Sequence, residues 1–218
     1  MIDEPLESVL GKLEASIKSS SSAENAQRRA LEARRRDLTN DHYRLAISEC
    51  PTRQIETKAV FDGPWADRFY QLRDRLGSGF MVVLHGTNGN GKTQTGVELI
   101  RHHTLENRKS ARFVTAMEIF MAIKSAYREK SERDESQVVA DFCKPALLVV
   151  DEIEKRGETD WENNLLFHIF NKRYNEMKDT LLLSNLGREE VEAHLGRSLV
   201  SRLNETGGMI HADWPSRR

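Results

Sequence analysis

The chain has 218 residues, 33 Lys and Arg against 34 Asp and Glu, a formal net charge of −1 and 38% hydrophobic residues. This length and composition support one full domain with a real core plus a small appendage, and the balanced charge excludes a basic tail as the means of attracting nucleic acid, leaving only local patches. The two cysteines, Cys50 and Cys143, stand far apart without a CxxC or Cys/His cluster, which argues against a zinc site or a disulfide framework, and no apolar run approaches the length of a bilayer span. The acidic start Met1-Ile2-Asp3-Glu4 lacks the basic region of a signal peptide, so a cytoplasmic setting is expected.

In chain order, Leu6, Val9, Leu10, Leu13 and Ile17 recur at helical spacing and predict a helix over 4–18 with one narrow apolar stripe. The stripe suits docking against a partner's helices, and equally packing on its own neighbour. Ser19 to Ser22 read as a short joint, within which Ser21 and Glu24 form a capping box for a second helix. That helix is crowded by Arg28, Arg29, Arg34, Arg35 and Arg36, with Leu31 and Leu38 as its large apolar positions, giving either a solvated face or a phosphate-facing one. Residues 39–65 carry polar turns, Pro51 and the breaker Asp62-Gly63-Pro64, and separate a helical module over 1–55 from a core over 56–218. A helix from Trp65 to Leu76 aligns Phe69, Leu72 and Leu76 and leads into an apolar strand, Met81 to His85.

Beyond this strand the alternation is regular. The pattern predicts a helix over 92–107, a strand over 111–115, a helix over 116–130, a helical stretch over 137–142 and a strand over 146–150. A helix over 160–177, a strand over 180–184, two short helices within 188–205 and a last strand over 209–211 follow. Strands that are nearly all apolar and interleaved with helices indicate an α/β fold, a parallel five-stranded sheet covered on both faces.

Two stretches carry chemistry. Gly86-Thr87-Asn88-Gly89-Asn90-Gly91-Lys92-Thr93, followed by Gln94, matches GxxxxGK[ST] between a strand and a helix, the context this phosphate-binding loop requires. Its glycines let backbone N–H groups curl around a phosphate, Lys92 supplies a point charge for the β- and γ-phosphates, and the Thr93 hydroxyl is offered to Mg²⁺. Leu147 to Val150 end in Asp151-Glu152, where a strand's carboxyl end would place Asp151 on Mg²⁺ and Glu152 on the attacking water; read alone, the pair is also compatible with a solvated acidic turn. Ser184-Asn185 ends another strand at the same sheet edge, so Asn185 is a candidate for the γ-phosphate or water, and either residue for a helix N-cap.

Together these pieces resemble the AAA+ P-loop ATPases, and within them the DnaC/IstB-like clade of bacterial and phage helicase loaders, over roughly Phe80 to Arg218. Val114 to Glu129 is similar to the loaders' second strand and initiator-type helix, Asp151-Glu152-Ile153 to their Walker B, and Ser184-Asn185 to their sensor 1. Leu195 to Leu203 is similar to their box VII, whose last arginine enters a neighbouring subunit's site, and Asp213-Trp214-Pro215-Ser216-Arg217 to their closing motif. The resemblance therefore implies an ATPase that uses ATP and Mg²⁺, with catalytic Lys92, Asp151, Glu152 and Asn185, Arg202 as a finger acting in trans, and Arg217 on the nucleotide. It implies single-stranded DNA contacts at Lys124, Tyr127, Thr159 and Trp161, although Tyr127 also lies at core spacing from Phe120 and Ile123. Expected partners are a replicative hexameric helicase of DnaB type, gripped by the N-terminal helices, and further copies of the chain in a ring or spiral. No large C-terminal lid and no membrane contact are expected. The loader reading stands beside an IstB-type transposition ATPase, a monomeric phosphate-loop kinase, and an adaptor in which ATP only holds a conformation.

Overall fold

Successive side chains of a strand point to opposite faces of its sheet, so a strand apolar at every position must be covered twice. Strand β1 (Met81–His85) is buried at all five positions, β4 (Asp179–Ser184) at all six, and β3 (Leu147–Asp151) at all but its last. In the computed structural model, which describes residues 26–215 apart from 35, 37–39, 41, 42, 45, 48, 129–131 and 158, these join β2 (Ala111–Thr115) and β5 (Gly208–His211) in one parallel sheet. Its order is β2-β3-β4-β1-β5. The chain thus leaves β1 for β2 at the far edge and later inserts β4 beside β1. That crossing brings the carboxyl ends of β1, β3 and β4 together, the place where such sheets bind ligands.

The alternation sorts the core into two layers. Met81 and Val83 face one side with Val114, Leu148, Val150 and Leu182, under helices α4 (Ala116–Ala126), α5 (Glu135–Cys143), α6 (Asp160–Asn175) and α7 (Arg188–Thr206). Val82 and Leu84 face the other with Phe113, Val149, Leu181 and Leu183, under α2 (Gly63–Arg73) and α3 (Lys92–Leu105). The two helices expected within 188–205 form one helical run broken at Gly196, whose φ of 73° gives the kink a conformation that a side chain would resist.

Two local readings are corrected. Asp62-Gly63-Pro64 does not merely interrupt the chain: Asp62 is the N-cap position of α2, and Pro64 sits in its first turn, where no amide donor is needed. The polar stretch before it holds a short helix, α1 (Thr52–Glu56), whose five residues are too few to show periodicity.

The chain divides into two compact units, Met1–Asn40 and Asp41–Arg218. In the first, residues 26–34 are helical, and Arg28, Arg29, Arg34 and Leu31 are exposed. The helix expected over 4–18, its apolar stripe and the capping box at Ser21 and Glu24 lie outside the described residues, as does Arg217. The second unit starts ahead of the 55/56 boundary because Ala46 and Cys50 are buried in the layer that holds Trp65, Phe69 and Leu72. Among the described residues no helix is long and apolar enough to cross a membrane.

Candidate nucleotide site

The loop after β1 has the backbone its glycines predict, with Gly86, Gly89 and Gly91 at φ of 134°, 92° and 81°. Gly91 is the N-cap of α3, so the free amides of that helix open toward the loop. Lys92, the first helical residue, is buried, and its Nζ donates to the carbonyls of Gly86 and Thr87, both at 2.8 Å. Its ammonium therefore lies across the concavity that the loop makes for an anion.

Thr93 and Asp151 meet although 58 residues separate them: the Thr93 hydroxyl donates to Asp151 Oδ2 at 2.8 Å. Burial, ahead of any other influence, raises the Asp151 carboxyl above its usual range, so a cation here would relieve a desolvated charge. One hydroxyl and one carboxylate are a partial ligand set, and no cluster of three or more His, Cys, Asp or Glu able to hold a metal occurs among the described residues. This fits Mg²⁺, which keeps water and phosphate oxygens as most of its ligands, better than an ion caged wholly by protein.

Glu152 follows in a left-handed conformation, φ 54°, and its carboxylate forms an ion pair with Lys155. Asn185, just beyond β4, lines the same cavity but is neither a helix cap nor alone. Its side chain and that of Ser184 both donate to Glu154, at 2.9 Å each, and the N-cap of α7 is Gly187. Local sequence could not reveal Glu154, because its partners lie about thirty residues away.

The cavity measures about 380 Å³, within the range of small-ligand sites. Lys92, Thr93, Asp151, Glu152 and Asn185 line one part of it, and Arg53, Gln54, Lys58, Val60 and Trp65 another. This second wall was not visible in the sequence. Gln94 ties α1 to α3 by donating to the Gln54 carbonyl at 3.1 Å and to Glu98 at 2.9 Å, and Arg101 donates to the Ile55 carbonyl at 3.2 Å. The Trp65 indole donates to Thr95 Oγ1 at 2.9 Å and to the Gly91 carbonyl at 3.3 Å, fixing the start of α3.

Asn88 and Gly89 also line the cavity, whereas the Asn90 side chain turns away and donates to the Ala212 carbonyl. The Trp214 indole donates back to the Asn90 carbonyl, so the segment after β5 braces the loop from behind. Arg202 does not line this cavity. It lies in the second half of α7, its Nη1 donating to the Ser198 carbonyl at 2.8 Å, with its guanidinium carbon 5.4 Å from the ring centres of both Phe167 and Tyr174.

The remaining candidates gather elsewhere. Lys124 Nζ lies 5.4 Å from the Trp161 ring centre, and the Tyr127 ring 6.5 Å from it. Tyr127 is 56% exposed and is the C-cap of α4, so its alternative place in the core is excluded. The Thr159 hydroxyl accepts from the Glu162 amide at 3.2 Å and caps α6, which sets Trp161 in that helix's first turn.

The model of the family described as IstB-like ATP binding protein matches residues 73–203. This chain belongs to that family. It is 27% identical over 137 residues to the replicative helicase loader DnaC of Escherichia coli strain K12, an alignment covering 62% of this chain and 55% of the loader. The chain spans about half the length of the curated relatives it matches. Among solved structures, the fold is shared with the DnaC helicase loader at a TM-score of 0.56, 20% identity and coverage of 72% and 92% of the two chains. It is shared also with the replication initiator DnaA bound to AMPPCP and single-stranded DNA, at 0.59, 17% identity and coverage of 72% and 49%. The five-stranded parallel sheet with its covering helices is therefore a fold that this chain shares with DnaC and DnaA.

Proposed function

We propose that this IstB-like protein is an ATP-dependent helicase loader: a Mg²⁺-dependent ATPase that holds single-stranded DNA and a replicative hexameric helicase. The observation that carries this reading is the convergence of Lys92, the Thr93–Asp151 pair, Glu152 and Asn185 on one cavity at the carboxyl ends of β1, β3 and β4. Similarity to DnaC supports the loader role.

The chain's residues divide the work. The loop amides and Lys92 bind the phosphates, and the lysine exchanges the Gly86 and Thr87 carbonyls for phosphate oxygens. Thr93 and Asp151 would hold Mg²⁺, which when bound neutralises charge on the β- and γ-oxygens. Glu152 polarises the attacking water once its pairing with Lys155 is released. Arg202 is assigned to the site of a second copy by the resemblance of Leu195 to Leu203 to the loaders' box VII, and its absence from its own cavity is compatible with that. Arg53, Gln54, Thr57, Lys58, Ala59, Val60 and Trp65 wall the nucleoside side.

The Lys124, Tyr127 and Trp161 group suits sequence-independent single-strand binding, with an ammonium for phosphate beside rings on which bases stack. Trp161→Ala is expected to weaken single-stranded DNA binding about tenfold, since stacking contributes about 1–3 kcal/mol per base. Fluorescence anisotropy with labelled oligonucleotides checks this; unchanged affinity removes Trp161 from the interface. The helicase is assigned to the first unit, Met1–Asn40, through the apolar spacing of Leu6 to Ile17 in the sequence.

The matched family supports a second reading, a transposition ATPase acting with a transposase on duplex DNA. Pull-downs against helicase and transposase, with turnover measured in ATP and Mg²⁺ with and without single-stranded DNA and helicase, separate the two. Helicase capture with stimulated turnover supports the loader, transposase capture supports the second reading, and absence of turnover under every condition leaves an adaptor.

A further inference from the structure

Glu154 lies outside every motif that brought the site together, three residues past Asp151 on the turn that follows β3. The turn is held from both sides. Ile153 is buried and its amide donates to the Leu183 carbonyl of β4 at 3.2 Å, while the Lys155 amide donates to the Glu152 carbonyl at 2.9 Å. Between these anchors the Glu154 carboxylate reaches across to the end of β4. Oε2 accepts from Ser184 Oγ at 2.9 Å, and Oε1 accepts from the Asn185 backbone amide at 3.2 Å and from Asn185 Nδ2 at 2.9 Å. Ser184 Oγ in turn accepts from the Leu186 amide at 3.2 Å, so both side chains at the strand end are tied into one network.

We infer that Glu154 is a positioning residue that sets the orientation of the Asn185 carboxamide toward the terminal phosphate and its attacking water, an inference that rests on the ATPase reading of this site. The chemistry follows from donor and acceptor roles. An ionised carboxylate only accepts, so the amide must turn its Nδ2 toward Glu154; the reverse orientation would set Oδ1 against a negative oxygen. Oδ1 is thereby directed away from Glu154 and left to accept from water, with the second Nδ2 hydrogen left for a phosphate oxygen. An amide held in advance need not reorganise when charge develops, and that makes such a group effective in the transition state. Glu152, the general base of the same reading, is paired with Lys155, so the two acids of this turn have separate tasks: one meets the water, the other aims the amide.

The test uses the full chain with Glu154→Ala, Glu154→Gln, Asn185→Ala and the Glu154→Ala/Asn185→Ala double variant. Affinity for fluorescent ADP is expected to stay within about twofold of wild type in all four, while kcat falls about tenfold or more in Glu154→Ala and less in Glu154→Gln, which can still accept a hydrogen bond. The double variant should be no slower than Asn185→Ala alone, because Glu154 acts through Asn185. Additive losses in the double variant, or an unchanged kcat in Glu154→Ala, would overturn the inference. A purely structural role for Glu154 would instead lower the Tm and weaken ADP binding together with kcat. If the wild-type chain shows no turnover, the ATPase reading fails on its own and Asn185 is read directly. Its side-chain ¹⁵N–¹H₂ signals, assigned by their disappearance in Asn185→Ala, should show one slowly exchanging proton that is lost in Glu154→Ala. Signals unaltered by Glu154→Ala would sink the inference without reference to ATP.

Discussion

Replacing Lys92 by alanine is expected to lower ATP affinity by about 10²-fold or more, since a charge-assisted hydrogen bond contributes about 1.5–3 kcal/mol and the ammonium spans two phosphate groups. The geometry sets Lys92 apart from Arg53 and Lys58, which line the second wall of the cavity. Lys92 is buried at the first turn of α3, its Nζ already lies at 2.8 Å from the two carbonyls that rim the loop, and Thr93 is engaged with Asp151. The same substitution leaves the Gly86 and Thr87 carbonyls without their donor, at a stability cost of about 1–3 kcal/mol. Equilibrium binding of a fluorescent ATP analogue, with Tm measured alongside, separates the two effects. Near-native affinity in a folded Lys92→Ala protein would contradict the phosphate-loop assignment.

Arg202→Ala has a different expected signature: nucleotide binding within about twofold of wild type, and assembly-dependent hydrolysis lower by about 10³-fold, the lower end of what a finger supplies. Arg202 does not line the cavity of its own chain, so a catalytic role requires a second copy to present it. Its guanidinium is bracketed by the Phe167 and Tyr174 rings and anchored by one bond to the Ser198 carbonyl. That leaves further donors in the planar fork, which a lysine lacks, so Arg202→Lys should recover little of the lost rate. Turnover measured against protein concentration checks both variants. Full hydrolysis by Arg202→Ala at high concentration would refute the finger, as would hydrolysis by wild type that is independent of concentration.

The motif residues were legible because their signals are local. An apolar run, three glycines at fixed offsets and a Lys-Thr pair describe a strand, a turn and a helix start without reference to the rest of the chain. Asp151-Glu152 was legible in the same way, as two acids closing an apolar strand. Two readings stay open wherever local chemistry admits two outcomes. Asp62-Gly63-Pro64 can break a helix or begin one, and it begins α2 because Trp65 and Phe69 behind it have a layer to enter. Tyr127 has the spacing of a core residue, yet α4 ends at Ala126 and leaves the ring exposed beside Trp161. Ser184 and Asn185 have the composition of helix caps, but the N-cap of α7 is Gly187, and both side chains donate to Glu154 on the turn after β3.

The parallel α/β sheet, the glycine-rich loop that matches the phosphate-binding pattern and the acids that end the third strand are all legible locally, since strand pattern and loop chemistry are properties of a few adjacent residues. The order β2-β3-β4-β1-β5 emerges from the packed fold, and with it the meeting of Thr93 with Asp151, of Glu154 with Asn185, and of Arg53, Gln54 and residues 57–60 with the loop's cavity. The physical reason is that these contacts join segments tens of residues apart, each making hydrogen bonds that any nearby partner could satisfy. Which partner is near depends on the burial of both faces of the sheet, and that is a property of the whole chain.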